Sequence, residues 1–303
     1  MKLCEKCASC ASCVKICGGC ANLIIAATVK CLCAAALCLS SVFVRAQSEN
    51  TSEFAFYGTG GMANLMYKLS EDGSKTGGFG GGAGVSYTYN FSYELGLSAG
   101  VEITSYGGNK AEYKTIAESY VGKDDNGDEV KYEFKFDNYA ENQKVTMFSV
   151  PVKLVYRLQL SNTTDLYAAG GVKVGLPVSA KSDIVGKVTS AGYYSYEDLT
   201  YHDLQEHGFF TDREVNVKSK KIDLGIAAML SFEAGFHFCF GENAGLYAGL
   251  FIDYGMNDMR KAKDRHLVNC NEVVTYESVL NTGLSDKLNL MSVGLKLQFA
   301  FGW

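Results

Sequence analysis

The last thirteen residues, Met291 to Trp303, constrain the fold more than any other part of the chain. Met291, Val293, Leu295, Leu297, Phe299, Phe301 and Trp303 alternate strictly with Ser292, Gly294, Lys296, Gln298, Ala300 and Gly302. Successive side chains of a β-strand point to opposite faces, so one face of this segment is wholly apolar and the other small or polar. A strand of this kind that stops on an aromatic residue, with no polar tail, is expected in a barrel closed inside a membrane.

The alternation recurs upstream. Ile222, Leu224, Ile226, Ala228, Leu230, Phe232, Ala234, Phe236, Phe238 and Phe240 form one apolar row, expected on the lipid side. Similar rows run through Leu246–Met256, Leu166–Val178, Phe148–Leu158 and Tyr93–Thr104, with weaker, glycine-rich versions in Phe79–Tyr89 and Phe54–Tyr67. The total is eight strands, the smallest number usual for outer-membrane barrels. A ten-strand count that uses Glu129 to Asn138 is the alternative. Three connections are short (90–92, 159–165, 241–244) and four are long and polar (68–77, 107–144, 179–220, 257–287), in strict alternation. That is the pattern of tight periplasmic turns and long extracellular loops. Glu129 to Phe136 and Glu214 to Lys218 alternate but are too charged for lipid, and read as β-structure standing above the bilayer. Tyr87, Tyr89, Tyr93, Phe236, Phe238, Phe240, Phe299, Phe301 and Trp303 cluster where an interfacial aromatic girdle belongs. No apolar run after Gln47 approaches the roughly 18–20 residues of a transmembrane helix.

Residues 1–46 differ from the rest. Ala34 to Val44 is a short apolar core preceded by Lys30, and Val44-Arg45-Ala46 offers compact residues for a signal peptidase, so this segment reads as a secretory leader. Removing its five basic residues and Glu5 from the 28 basic and 33 acidic residues of the chain leaves 23 and 32, a net charge of −9. Such acidity argues against nucleic acid as a partner. Nine of the eleven cysteines lie in the leader. Cys7, Cys10, Cys13 and Cys17 have a ferredoxin-like spacing, but Gly18 stands where that run has proline and no folded domain separates them from the secretion segment. No metal or cofactor is therefore assigned, and a start placed too far upstream is the simpler account of the run. Cys239 and Cys270 remain, at opposite ends of the expected barrel and too far apart for a disulfide.

The run MFSVPVKLVYRL from Met147 to Leu158, GGGAGVSYTY from Gly80 to Tyr89, Asp223 to Gly225, and DYGMND from Asp253 to Asp258 carry a resemblance. They are similar to the outer-membrane β-barrel family typified by PorT-like proteins, and the OmpA-like membrane domain has the same architecture. The resemblance spans most of Phe54 to Trp303. It implies a closed antiparallel transmembrane β-barrel in the outer membrane of a Gram-negative bacterium, with no shared chemistry. A proline at the position of Pro151 is also similar. Alone, Pro151 breaks a ladder in a barrel that has no edge, and a bulge is the expected solution.

The informative polar residues are charges on the inward rows. Glu94, Glu102, Asp223, Glu233 and Asp253 are expected to share the lumen with Lys153, Arg157, Lys173 and Lys296. The interior of an eight-stranded barrel is just wide enough to be filled by side chains, and buried charges must pair. A salt-bridged plug is expected, with a narrow ion path as the alternative. Leu297, Phe299, Phe301 and Trp303 look like the mark read by the barrel-assembly machinery. His202 and His207, near Ser195, Glu197, Asp203 and Glu206, are the place to look for a lipid-modifying dyad, but such a loop is ordinarily solvated. His237 is expected as hydrogen-bonded packing and His266 as solvated. Asp124 to Glu129 has part of a calcium loop but not its ligand spacing, and a turn about Asn126-Gly127 is expected instead. The function that follows is non-catalytic: a scaffold with a plugged lumen, in contact with outer-membrane lipids and lipopolysaccharide, that displays the loops 107–144 and 179–220 for adhesion, ligand contact or envelope integrity. A secretion or envelope-assembly component is the rival, and an enzyme comes third.

Overall fold

The computed structural model describes residues 52–70, 72–124, 127–240, 244–271 and 273–302. The leader and its cysteines, Asp125, Asn126 and Trp303 lie outside them. Thirteen strands follow in order: β1 (Ser52–Met66), β2 (Ser74–Thr76), β3 (Phe79–Asn90), β4 (Leu95–Lys123), β5 (Glu129–Ser161), β6 (Thr164–Tyr194), β7 (Leu199–Tyr201), β8 (Arg213–Lys221), β9 (Ala227–Cys239), β10 (Ala244–Gly255), β11 (Val268–Asn271), β12 (Val273–Tyr276) and β13 (Asn289–Gly302). Single 3-10 turns cover Gln205–His207 and Val279–Asn281. Among the described residues no helix is long and apolar enough to cross a membrane.

Eight strands form a ring. β1, β3, β4, β5, β6, β9, β10 and β13 each pair antiparallel with the next, and β13 pairs back onto β1 from Glu53↔Gly302 to Met66↔Asn289. Closure leaves no free edge strand around the ring, so most backbone groups of the apolar zone bond to a neighbouring strand. Glu129 to Asn138 is the upper part of β5, not an extra strand.

The outward face of the ring is apolar. Leu250, Leu295, Leu297, Leu154, Ile103, Val172, Val174, Phe232, Phe236, Phe299 and Phe301 are all exposed, Leu295 to 65%. The ten steps from Met291 to Phe301 cover about 34 Å at about 3.4 Å per residue, and a tilt near 40° leaves about 26 Å, the height of an outer-membrane apolar band. Tyr87, Tyr89, Phe236, Phe238, Phe240, Phe299 and Phe301 are exposed near the short-turn end, as a girdle requires.

Polarity inverts higher up. On β5 the polar inward residues Arg157, Lys153 and Ser149 alternate with Val155 and Pro151, and the row then becomes apolar at Met147, Val145 and, above Gln143 and Glu141, Tyr139. The outward row changes in step, from Leu158, Tyr156, Leu154, Val152 and Val150 to Lys144 and Asn142. The strand leaves lipid for water near Thr146, so its apolar face must turn inward. β4, β5 and β6 run on for many residues above this level and carry β2, β7 and β8 with them.

On β4 the inversion uses a bulge. The register passes from Tyr106↔Val145 to Asn109↔Gln143, and Gly108 takes φ +72°. A residue with a side chain rarely adopts that conformation, and glycine does so without a steric penalty. The extra residue turns Asn109 inward, where its carboxamide accepts from the Leu65 N–H at 3.0 Å and donates to the Ala63 carbonyl at 3.1 Å.

Pro151 is accommodated differently from the expected bulge. Pairing of β4 with β5 lapses between Ala99↔Val152 and Glu102↔Ser149 and resumes in unchanged register. The missing N–H therefore falls in a gap in the ladder. The nearest bulge lies higher, where β5 against β6 passes from Met147↔Pro177 to Thr146↔Ser179.

Candidate functional site: a filled lumen beneath a folded outer body

The lumen is filled in tiers. Uppermost is an apolar plug. Leu65, Tyr106, Met147, Ile222, Leu224, Met229, Met259, Leu280, Leu288 and Leu290 are all buried and pack together. Leu280 and Leu288 come from the last long connection, which folds back into the mouth. Its 3-10 turn is held by Glu141, which accepts from Tyr139 Oη at 2.7 Å, from the Val279 N–H at 2.9 Å, and from Ser278 Oγ. Burial and then the Glu141 carboxylate push the Tyr139 hydroxyl well above its ordinary range, so it stays a donor.

Beneath the plug, Lys173 Nζ lies 2.6 Å from Asp253 and 3.1 Å from Glu102. Tyr57 Oη donates to Glu102 at 3.0 Å, Thr104 also donates to Glu102, and Ser231 and Ser292 donate to Asp253. The next tier reverses the stoichiometry. Glu233 is shared by Lys296, at 2.9 Å, and Lys153. Two carboxylates on one ammonium stand above two ammoniums on one carboxylate, so the pair of tiers is neutral. Lowest, Arg157 pairs with Glu53 at 2.8 Å and donates to Asn90 at 2.8 Å, while Tyr247 donates to Glu53 at 2.9 Å. Beside them Asp165 and His237 Nδ1 are 2.9 Å apart. The void among Lys153, Arg157, Tyr167, Glu233 and Lys296 holds about 30 Å³, space for one or two waters. A continuous water column has no room there.

Seven of the nine expected lumen charges meet here: Glu102, Lys153, Arg157, Lys173, Glu233, Asp253 and Lys296. Two do not. Glu94 is exposed in the turn before β4, and only its backbone carbonyl takes part, accepting from the Arg157 N–H. Alternation does not hold before the start of β4, and Glu53 occupies the position by Arg157 instead. Asp223 lies outside the lumen, 2.6 Å from Arg265 and 3.4 Å from Lys221. Burial alone would raise its pKa, but those two cations outweigh burial and hold it below the usual carboxylate range. The reason is a parity reversal: β9 begins only at Ala227, and Ile222 and Leu224, expected toward lipid, are 2% and 5% exposed inside the plug. Between Gly175↔Ala227 and Lys181↔Lys221, β6 has no ladder partner on this side, and a cavity of about 350 Å³ opens at the rim.

Glu53, Tyr57, Asn90 and Asp165 were missed. Glu53 and Tyr57 share a face with Ala55, and Asp165 with Tyr167, so parity could have found them. β1 and β6 begin before their apolar rows do, which brings in Glu53 and Asp165, whereas Tyr57 lies within its expected strand and Asn90 closes β3.

Above the plug the long connections form one packed body. Tyr113, Ile116, Tyr132, Phe134, Phe136, Tyr139, Ile184, Val188, Phe209, Phe210, Leu267 and Val279 are buried together. His266 is not simply solvated: its ring stacks on Tyr120 at 4.1 Å and Nδ1 lies 2.8 Å from Glu118. His207 stacks on Phe209, and Glu197 accepts from Tyr201. Gly127 N–H donates to the Asp124 carbonyl at 3.0 Å; the turn expected about Asn126 falls outside the described residues. On the outside of this body Glu118, Glu133, Lys135, Thr189 and His202 border a groove of about 460 Å³.

A closed ring with an apolar exterior and a charged, filled interior defines a membrane-spanning β-barrel. The chain belongs to the outer membrane protein beta-barrel domain family, whose pattern matches residues 34–299. Among solved structures it is similar to Neisserial surface protein A (9% identity, 82% of this chain and 95% of that one, TM-score 0.34). It is also similar to OprG from Pseudomonas aeruginosa (12%, 86% and 99%, TM-score 0.34). A third is Ail, the attachment invasion locus protein of Yersinia pestis, solved with the heparin analogue sucrose octasulfate (12%, 84% and 99%, TM-score 0.31). No curated protein matches the chain.

Proposed function

We propose that this protein is a non-catalytic, non-conducting outer-membrane scaffold that holds a rigid binding body above the lipid surface. One observation carries the reading: the lumen is shut twice, by the Leu280–Leu288 plug and by the ion-pair tiers, while the long connections share a packed core of their own. Long loops built only to be mobile have no use for such a core. Rigid frames concentrate function on the loops they hold, and here the groove bordered by Glu133, Lys135 and His202 is the first surface to test. The short turns would face the periplasm, and the lower apolar band would contact outer-membrane lipid and lipopolysaccharide. Leu297, Phe299, Phe301 and Trp303 would be read by the assembly machinery during insertion.

The test has two arms. Pure protein in planar bilayers should give no steady, large conductance; a stable open channel would refute the scaffold reading. Photo-crosslinkers placed at Lys135 and His202 in intact cells should capture surface ligands or lipopolysaccharide. Capture of periplasmic secretion components from the short turns instead would favour the rival, PorT-like envelope-assembly role.

A further inference from the structure

We infer that the short-turn mouth of the barrel is a binding site for a borderline-soft divalent metal ion such as zinc, held by Asp165, His237 and Cys239. The sequence places these groups together. His237 and Cys239 are two apart on β9, so both side chains leave the same, inward face. Asp165 on β6 is the register partner of His237. Three different donor types thus converge from two neighbouring strands, without help from a loop.

The distances suit a tetrahedral ion. Zinc takes sulfur at about 2.3 Å, nitrogen at about 2.0–2.1 Å and oxygen at about 2.0–2.2 Å, which sets tetrahedral S–N and S–O edges near 3.5 Å and an N–O edge near 3.3 Å. Here Cys239 Sγ is 3.8 Å from His237 Nδ1 and 4.0 Å from Asp165 Oδ2, and those last two atoms are 2.9 Å apart. The same atom of each residue faces the other two, so shifts of about half an ångström admit the ion. Asp165 and His237 are buried and Cys239 is half-buried, which leaves one approach open. Three protein ligands with a free fourth position describe an exchangeable site rather than a closed structural one.

The surroundings hold the ligands in place. Tyr93 Oη donates to Asp165 Oδ1 at 2.9 Å, leaving Oδ2 for the ion. His237 stacks on Tyr247 at 4.0 Å. Such outer-shell contacts orient metal ligands and tune their basicity. The nearby Arg157 is neutralised by Glu53, so its charge is already matched. Binding would take His237 as the neutral imidazole, ligating through Nδ1 with its one proton carried on Nε2, and Cys239 as the thiolate, whose proton is released to solvent. No oxidation or reduction is involved. The ion would tie β6 to β9 beside the β3–β4 turn.

The test uses barrel extracted from outer membranes, stripped with EDTA and titrated with cobalt(II) chloride and then zinc chloride. One cobalt per chain should give a thiolate-to-metal charge-transfer band, removed by one equivalent of zinc. Cys239→Ser should abolish the band and weaken zinc binding at least about tenfold, since even outer-shell losses reach that size; Cys270→Ser should change neither. Zinc should also slow alkylation of Cys239 in the unaltered protein about tenfold or more, a readout that needs no variant to fold. Absence of the band, its survival in Cys239→Ser, or alkylation of Cys239 indifferent to zinc would each overturn the site.

Discussion

Lys173 and Asp253 meet at 2.6 Å although their strands, β6 and β10, are separated by β9. The contact therefore spans the lumen rather than a ladder. With Glu102 reaching the same ammonium from β4, three walls of the barrel are tied through one side chain. Taking these groups out of water is expensive, and only mutual pairing offsets it.

Replacing Lys173 by methionine strands two buried carboxylates. Breaking a buried pair in this way costs about 3–5 kcal/mol. Urea unfolding of Lys173→Met in detergent should show a loss of that order. Adding Glu102→Gln and Asp253→Asn should restore part of it, because the uncompensated charges are then gone. An unchanged midpoint for the single variant would mean that water, not Lys173, screens the carboxylates.

Glu141 joins the ring wall to the last connection through three donors, two of them on Ser278 and Val279. Hydrogen bonds to a charged group contribute about 1.5–3 kcal/mol each, and an amide cannot accept all three. Glu141→Gln should therefore loosen the mouth without opening the membrane zone. Trypsin should cut faster at Lys261, Lys263 or Arg265, while heat-modifiable migration stays normal. Equal cleavage rates would place the anchor elsewhere.

Asp258 supplies a pH dependence to the same segment. Burial alone would raise its pKa, but the N–H groups of Leu288 and Arg260 and the cations Lys263 and Arg260 outweigh burial and hold it well below the usual range. The folded value thus lies below the unfolded one, about 3.9. Its stabilisation is fully present above the unfolded value and is lost as pH falls toward the folded one. Pepsin digestion should leave this connection protected down to about pH 4 and attack it increasingly at more acid values. Asp258→Asn should be attacked at a rate that varies less with pH. A variant with the same acid dependence as the parent would assign that dependence to another carboxylate.

Phe301 pairs with Phe54 on β1 and with Ala244 on β10, at the seam where the ring closes. Deleting Phe301 to Trp303 removes the last pairs of that seam along with the aromatic end. Membrane insertion should fall sharply, read as loss of the heat-modifiable form from the outer-membrane fraction. Normal levels would show that neither the seam nor the terminal aromatics guide assembly.

What could be read from the sequence and what could not divides along a physical line. Alternation with period two is a local property, so Val293, Leu295, Leu297 and Phe299 showed their lipid face without any knowledge of their neighbours. Charges in the middle of a strand, such as Lys173, Glu233 and Lys296, inherited their inward side from the same rule. The rule fails where strands end or gain a residue. Glu94 sits just before the start of β4 and Asp223 before the start of β9, so alternation assigns them the wrong side, and the same displacement puts Ile222 and Leu224 in the plug. Glu53 and Asp165 escaped notice because the strands begin before their apolar rows do.

Local chemistry alone requires a membrane barrel, because each strand must show one greasy side to lipid and one tolerable side to a narrow lumen. Which inward groups touch, that Leu280 and Leu288 return to stopper the mouth, and that the long connections share a core emerge only once the chain is folded. Those outcomes depend on register, on bulges at single positions such as Gly108, and on contacts between residues more than a hundred positions apart, such as Glu141 and Ser278. No local pattern encodes them.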